Sequence, residues 1–151
     1  MRIAIIGAGG TGGYFGGLLA RAGEQVSFLA RGTQLEALRT HGLTVKSRLA
    51  GTFSLPVHAT SDPQEIGAVD LVLFSVKTYD TRAASLGLHF LMGPETVVLP
   101  IQNRIDAAEQ LGGEVGMQHL VGGVAYVTPQ IESSHPCFVF VETACFYVKY
   151  A

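Results

Sequence analysis

An α/β fold, with a mainly parallel sheet doubly wound by helices into a single domain, follows from three features of the sequence. Short apolar runs without a polar face, at residues 2–6, 69–76 and 96–101, read as strands covered on both sides. Segments of helical periodicity separate those runs, and parallel strands need such crossover connections. The 151 residues are 48% hydrophobic and only 15% charged, which suits one domain around a buried sheet.

Arg2 to Ile6 forms the first expected strand. Gly12 to Ala22 carry Tyr14, Phe15, Leu18, Leu19 and Ala22 at helical spacing, and Gly23 ends that helix as a C-terminal cap. Gln25 to Ala30 is the second strand, which closes a βαβ unit. Thr33-x-x-Glu36 has the spacing of a capping box, so a second helix runs toward His41 and stops at Gly42. Residues 43–60 alternate and turn at Ala50-Gly51, as a hairpin-like excursion or short edge strands. Asp62-Pro63 starts a short helix that Gly67 ends. Val69 to Val76 is the central strand, Tyr79 to Leu91 a helix, Thr96 to Ile101 a further strand and Ile105 to Leu111 a short helix. Residues 137–150, dense in aromatic and β-branched side chains, read as a strand with an exposed edge.

Charge and cysteine usage narrow the partners. Ten Lys and Arg against twelve Asp and Glu give a net charge of −2, so no basic field attracts a nucleic acid backbone. Cys137 and Cys145 show no CxxC spacing and no His at ligand distance, which points to reduced thiols in a cytoplasmic protein without a metal site. The first apolar run stops at Ile6, too soon for a secretory leader, and no run approaches the ~18 residues that span a bilayer. A soluble protein is expected.

Seven of the eleven residues from Gly7 to Gly17 are glycine, and Gly7-Ala8-Gly9-Gly10-Thr11-Gly12 satisfies GxGxxG. The motif gains weight from its place between a strand and a helix. The first glycine permits a tight turn, the second lets a pyrophosphate approach the backbone, and the third lets helix pack on strand. Unpaired amides at the helix start then hold the anion. These are the marks of a Rossmann-like dinucleotide site, against a bare flexible turn. Arg31 follows the second strand with no carboxylate beside it, which favours NADP(H), because a guanidinium clamps the extra 2′-phosphate. Gly13, Gly16 and Gly17 lie within the helix and predict a smooth face for cofactor, sheet or a neighbouring helix.

The pieces MRIAIIGAGGTGGYFGG, FLARG, DLVLFSVKTYD, VVLPIQN and LVGGVAY, in that order over residues 1–130, resemble the ketopantoate reductases, or 2-dehydropantoate 2-reductases. The resemblance implies NADPH as cofactor and a small 2-keto acid, ketopantoate, reduced to pantoate in pantothenate biosynthesis. It places Lys77 and Asn103 before the nicotinamide and substrate as catalytic and cofactor-binding residues, and brings the backbone around Thr128 to the cofactor. A lysine directly after an apolar strand does lie on the rim where open α/β sheets bind ligands. Two departures stand out. Arg104 replaces the glycine that usually follows QN, and the family's helical C-terminal domain, with its catalytic lysine, has no counterpart here. The expected organisation is therefore an NADP-binding domain over 1–130 and an atypical apolar strand over 131–151 of a truncated chain. The alternative is a non-catalytic NADP(H)-binding module or sensor. The exposed strand edge makes a homo-oligomer plausible.

Overall fold

A computed structural model describes residues 1–102, 107–132 and 135–149. Five parallel strands build the first sheet, in the order β5 (His58–Thr60), β2 (Gln25–Leu29), β1 (Arg2–Ile6), β6 (Leu71–Phe74) and β7 (Val97–Pro100). The strand order turns back on either side of β1, so the carboxyl ends of β1, β2 and β6 open a crevice at the point where a doubly wound sheet binds ligands. Alternation along β1 serves both faces. Ile3 and Ile5 point into one core with Tyr14 and Leu38, whereas Ala4 and Ile6 join Val72, Phe74, Leu88 and Leu111 in another. Burying each of these isoleucines stabilises the fold by about 1.5–3 kcal/mol.

The helices follow the expected plan with three differences. Helix α1 (Gly10–Arg21) starts two residues earlier than its apolar spacing suggests. Helix α2 (Gly32–His41) has Arg31 as its N-cap, with no side-chain cap, so the Thr33–Glu36 box does not form. The cause lies in the sheet. The Ala30 amide still donates to the Thr60 carbonyl, 3.0 Å, and keeps the chain extended through Arg31. Helix α3 (Pro63–Ile66) does begin as expected, with the Asp62 side chain accepting from the Gln64 amide, 2.9 Å. The helix expected over 79–91 is broken into a 3₁₀ turn at Thr78–Asp80, helix α4 (Thr81–Ser85) and a second 3₁₀ turn at Leu88–Leu91. Gly87 packs on Pro63, where an added Cβ would lie 2.9 Å from the ring, and the bend beside it buries both Leu88 and Leu91. Helix α5 (Ala107–Val115) runs beyond the predicted end at Leu111.

A second sheet stands beside the doubly wound one. Its strands are β4 (Gly51–Leu55), β3 (Leu43–Ser47), β9 (His135–Lys149) and β8 (Gly122–Glu132), in that order. The hairpin across Ala50-Gly51 forms as β3 and β4. The C-terminal segment is a strand: it pairs antiparallel with β8, and over Phe138–Val141 also parallel with β3, where Val139 and Val141 are fully buried. Past Val141, among the described residues, β9 pairs with β8 alone, so the expected edge is covered over its first part and unpaired beyond it.

Helix α1 lies between the two sheets, and its glycines make that possible. A Cβ on Gly16 would stand 2.6 Å from the Phe28 ring of the first sheet, and one on Gly13 would stand 2.8 Å from Val139 of the second. The smooth face is thus covered by this chain's own strands. Among the described residues, no helix is long and apolar enough to cross a membrane.

Candidate functional site

The glycine loop leaves β1 at Gly7, whose φ of 93° turns the chain sharply. It is packed from beneath: a Cβ on Gly7 would lie 2.8 Å from Val76 Cγ1 and 2.9 Å from its backbone nitrogen. Gly12 is closed in by the Gly7 carbonyl and the Ser75 hydroxyl, so no side chain fits there. The first helical bond runs from the Gly13 amide to the Gly9 carbonyl, 2.7 Å. Side chains fix the rest of the loop. Ser75 Oγ donates to the Gly7 carbonyl at 2.7 Å and lies 3.0 Å from that of Ile6, and Gln34 Nε2 donates to the Ala8 carbonyl.

Above this braced turn the space is open. An added Cβ on Gly9 would meet nothing within 4 Å, and α1 presents its first amides on that side. Two cavities flank the loop. One of about 210 Å³ is lined by Gly7, Ala8, Arg31, Gln34, Val76 and Asp80. The other, of about 310 Å³, is lined by Thr11, Ser75, Val76, Lys77, Tyr79 and Gln102. Val76 belongs to both and forms their common wall.

Of the residues expected from sequence, Gly7, Ala8, Arg31, Thr11 and Lys77 line the two cavities. Gly7, Ala8, Gly9, Gly10, Thr11 and Gly12 form the turn and the first turn of α1. Arg31 is exposed at the end of β2, and among the described residues no side-chain partner holds its guanidinium. Lys77 is exposed at the far end of the cleft, with Nζ 5.9 Å from the centre of the Tyr79 ring and its carbonyl accepting from the Asp80 amide at 2.9 Å. Thr128 is exposed on β8, next to Pro129, whose ring covers Gly10. Asn103 and its neighbour Arg104 lie outside the described residues. Ser75, Val76, Gln34 and Gln102 were not singled out from sequence. A serine and a valine closing an apolar strand read as its end, and a glutamine in a first helical turn reads as surface.

A parallel sheet, a glycine turn opening a helix and open space beside Gly9 define a dinucleotide-binding fold of the Rossmann type. The chain belongs to the family described as Ketopantoate reductase PanE/ApbA, whose model matches residues 3–138. It is similar to the 2-dehydropantoate 2-reductase of Nostoc sp., 31% identical over 127 residues that make up 83% of this chain and 39% of that protein. The crystal structure of 2-dehydropantoate 2-reductase from Geobacter metallireducens is 36% identical, with a TM-score of 0.92 over 99% of this chain and 49% of that one. D-mandelate dehydrogenase, solved with NADH and anilino(oxo)acetate, shares the fold at 23% identity and a TM-score of 0.84. The chain therefore spans less than half the length of these relatives.

Proposed function

We propose that this chain is the NADPH-binding half of a ketopantoate reductase-like oxidoreductase, serving the reduction of 2-dehydropantoate or a closely similar 2-keto acid. One observation carries the reading: the braced glycine turn stands between two cavities, with Arg31 at one end and Lys77 at the other. The residues fit the cofactor. Gly9 leaves the turn open to a pyrophosphate, and Gly10, Thr11 and Gly12 offer the helix-start amides. The forked donors of Arg31 suit a 2′-phosphate.

Bound NADPH supplies a hydride to a ketone carbon. This chain's own residues bind and orient. Lys77 brings an ammonium group to the rim, where it attracts the substrate carboxylate and opposes the negative charge that grows on the ketone oxygen. Asn103 is proposed to hold the nicotinamide carboxamide or the substrate oxygen, and Thr128 to bring its backbone to the cofactor from β8. A cytoplasmic setting is in keeping with the absence of CxxC spacing at Cys137 and Cys145.

Fluorescence titration with NADPH and NADH tests the cofactor role. NADPH should bind more tightly, and Arg31→Ala should weaken NADPH about 10- to 100-fold while leaving NADH within about twofold. An unchanged preference removes Arg31 from its role. Following NADPH oxidation with 2-dehydropantoate then tests turnover. Oxidation excludes the second reading, a non-catalytic NADP(H)-binding module, whereas binding without oxidation shows that this chain alone does not turn over.

A further inference from the structure

Gln102 stands where the pairing of β6 with β7 gives out. The strands run in register from Leu71 opposite Val97 to Phe74 opposite Pro100, and the Ile101 amide adds a last rung to the Phe74 carbonyl at 2.9 Å. The next acceptor along that edge is the Val76 carbonyl, and the side-chain amide of Gln102 takes it, with Nε2 donating at 2.6 Å. The same nitrogen donates to Thr81 Oγ1 at the start of α4, 3.0 Å. One side chain thus ties the end of β7 to the loop after β6 and to the following helix.

The orientation of this amide is set by chemistry, since exchanging its nitrogen and oxygen would press two carbonyl oxygens together. The consequence falls on the other atom: Gln102 Oε1 is buried and, among the described residues, has no hydrogen-bond partner. A buried acceptor without a partner is disfavoured, so its retention calls for a compensating gain. The gain lies in what the amide holds. Val76 is the wall between the two cavities and seats Gly7, and Lys77 follows directly.

Resting on the NADPH reading above, we propose that Gln102 is a positioning residue whose side-chain amide replaces a missing rung of the sheet. It fixes the Val76 carbonyl and Lys77, and with them the nicotinamide end of the cleft, and leaves the glycine turn and the Arg31 end to Ser75 and Gln34, which hold the Gly7 and Ala8 carbonyls. The test compares two probes, NADPH and 2′-phospho-ADP-ribose, which lacks the nicotinamide, binding to the unsubstituted chain and to Gln102→Met by calorimetry. Gln102→Met should weaken NADPH about tenfold and leave 2′-phospho-ADP-ribose within about twofold. Thr81→Val, which removes the second acceptor, should shift NADPH in the same direction, and Thr81→Ser should restore it. If Gln102→Met does not fold, the Thr81 pair decides. Unchanged NADPH affinity, or equal loss for both probes, overturns the inference alone. Failure of the unsubstituted chain to bind either probe overturns the cofactor reading and this inference with it.

Discussion

Ser75 shows how one hydroxyl can shape a binding turn. It reaches the carbonyls of Ile6 and Gly7 just where β1 gives way to the glycine loop, and it fills the space beside Gly12. Ser75→Ala should cost about 1 kcal/mol in chemical denaturation and weaken NADPH about fivefold, because the loop loses its tie to β6. Equal affinity in fluorescence titration would show that Val76 and Gln34 suffice to hold the turn. At this scale the sequence was uneven in what it disclosed. The glycines were legible because each answers a steric demand, a turn at Gly7, an open face at Gly9 and a close approach at Gly12. Their supports were not, since nothing local marks a strand-end serine as a ligand of a carbonyl some 70 residues away in the chain.

Helix α1 carries the sharpest constraint among the elements, because sheets lie on both sides of it. Gly16 faces the rigid ring of Phe28, whereas a Cβ on Gly17 would stand 3.0 Å from methyl groups of Leu43 and Val45. Replacing glycine by alanine within a helix gains about 1 kcal/mol in propensity, and overpacking a core costs about 1–3 kcal/mol. Gly16→Ala should therefore lower stability by about 1–2 kcal/mol, while Gly17→Ala should stay within about 1 kcal/mol of the parent, as the two methyls can yield. Denaturant unfolding of the two variants separates these outcomes. Element types were legible from periodicity, but the ends of α2 and the break in the 79–91 helix depend on partners elsewhere. Thr60 prolongs the β2 pairing to Ala30, with α2 starting at Gly32 ahead of the expected cap, and Pro63 accepts Gly87 at the bend.

Two cores, one on each face of the first sheet, give the molecule its overall stability. Val98 sits in the core shared with α3 and α5, and Val141 in the core beneath the second sheet, both fully buried. Val98→Ala and Val141→Ala should each cost about 1–2 kcal/mol. The double variant should show their sum to within about 0.5 kcal/mol, since no side chain is shared. A larger deviation in denaturant melts would mean that strain passes through β1 and β6. The parallel sheet was legible because buried strands announce themselves as unbroken apolar runs. The second sheet was not, because β3 pairs with β9 from the far end of the chain and periodicity carries no record of partners.

That pairing also sets an order of events during synthesis. The outer face of α1, at Gly13 and Gly17, rests on Val139, Leu43 and Val45, so the helix that opens the cleft gains part of its cover only when β9 arrives. Contacts of such sequence separation slow folding and, on the ribosome, must wait for the strand to leave the exit tunnel. The glycine turn is made well before the strand that covers its helix, and the nascent chain carries that helix partly uncovered until β9 has been made.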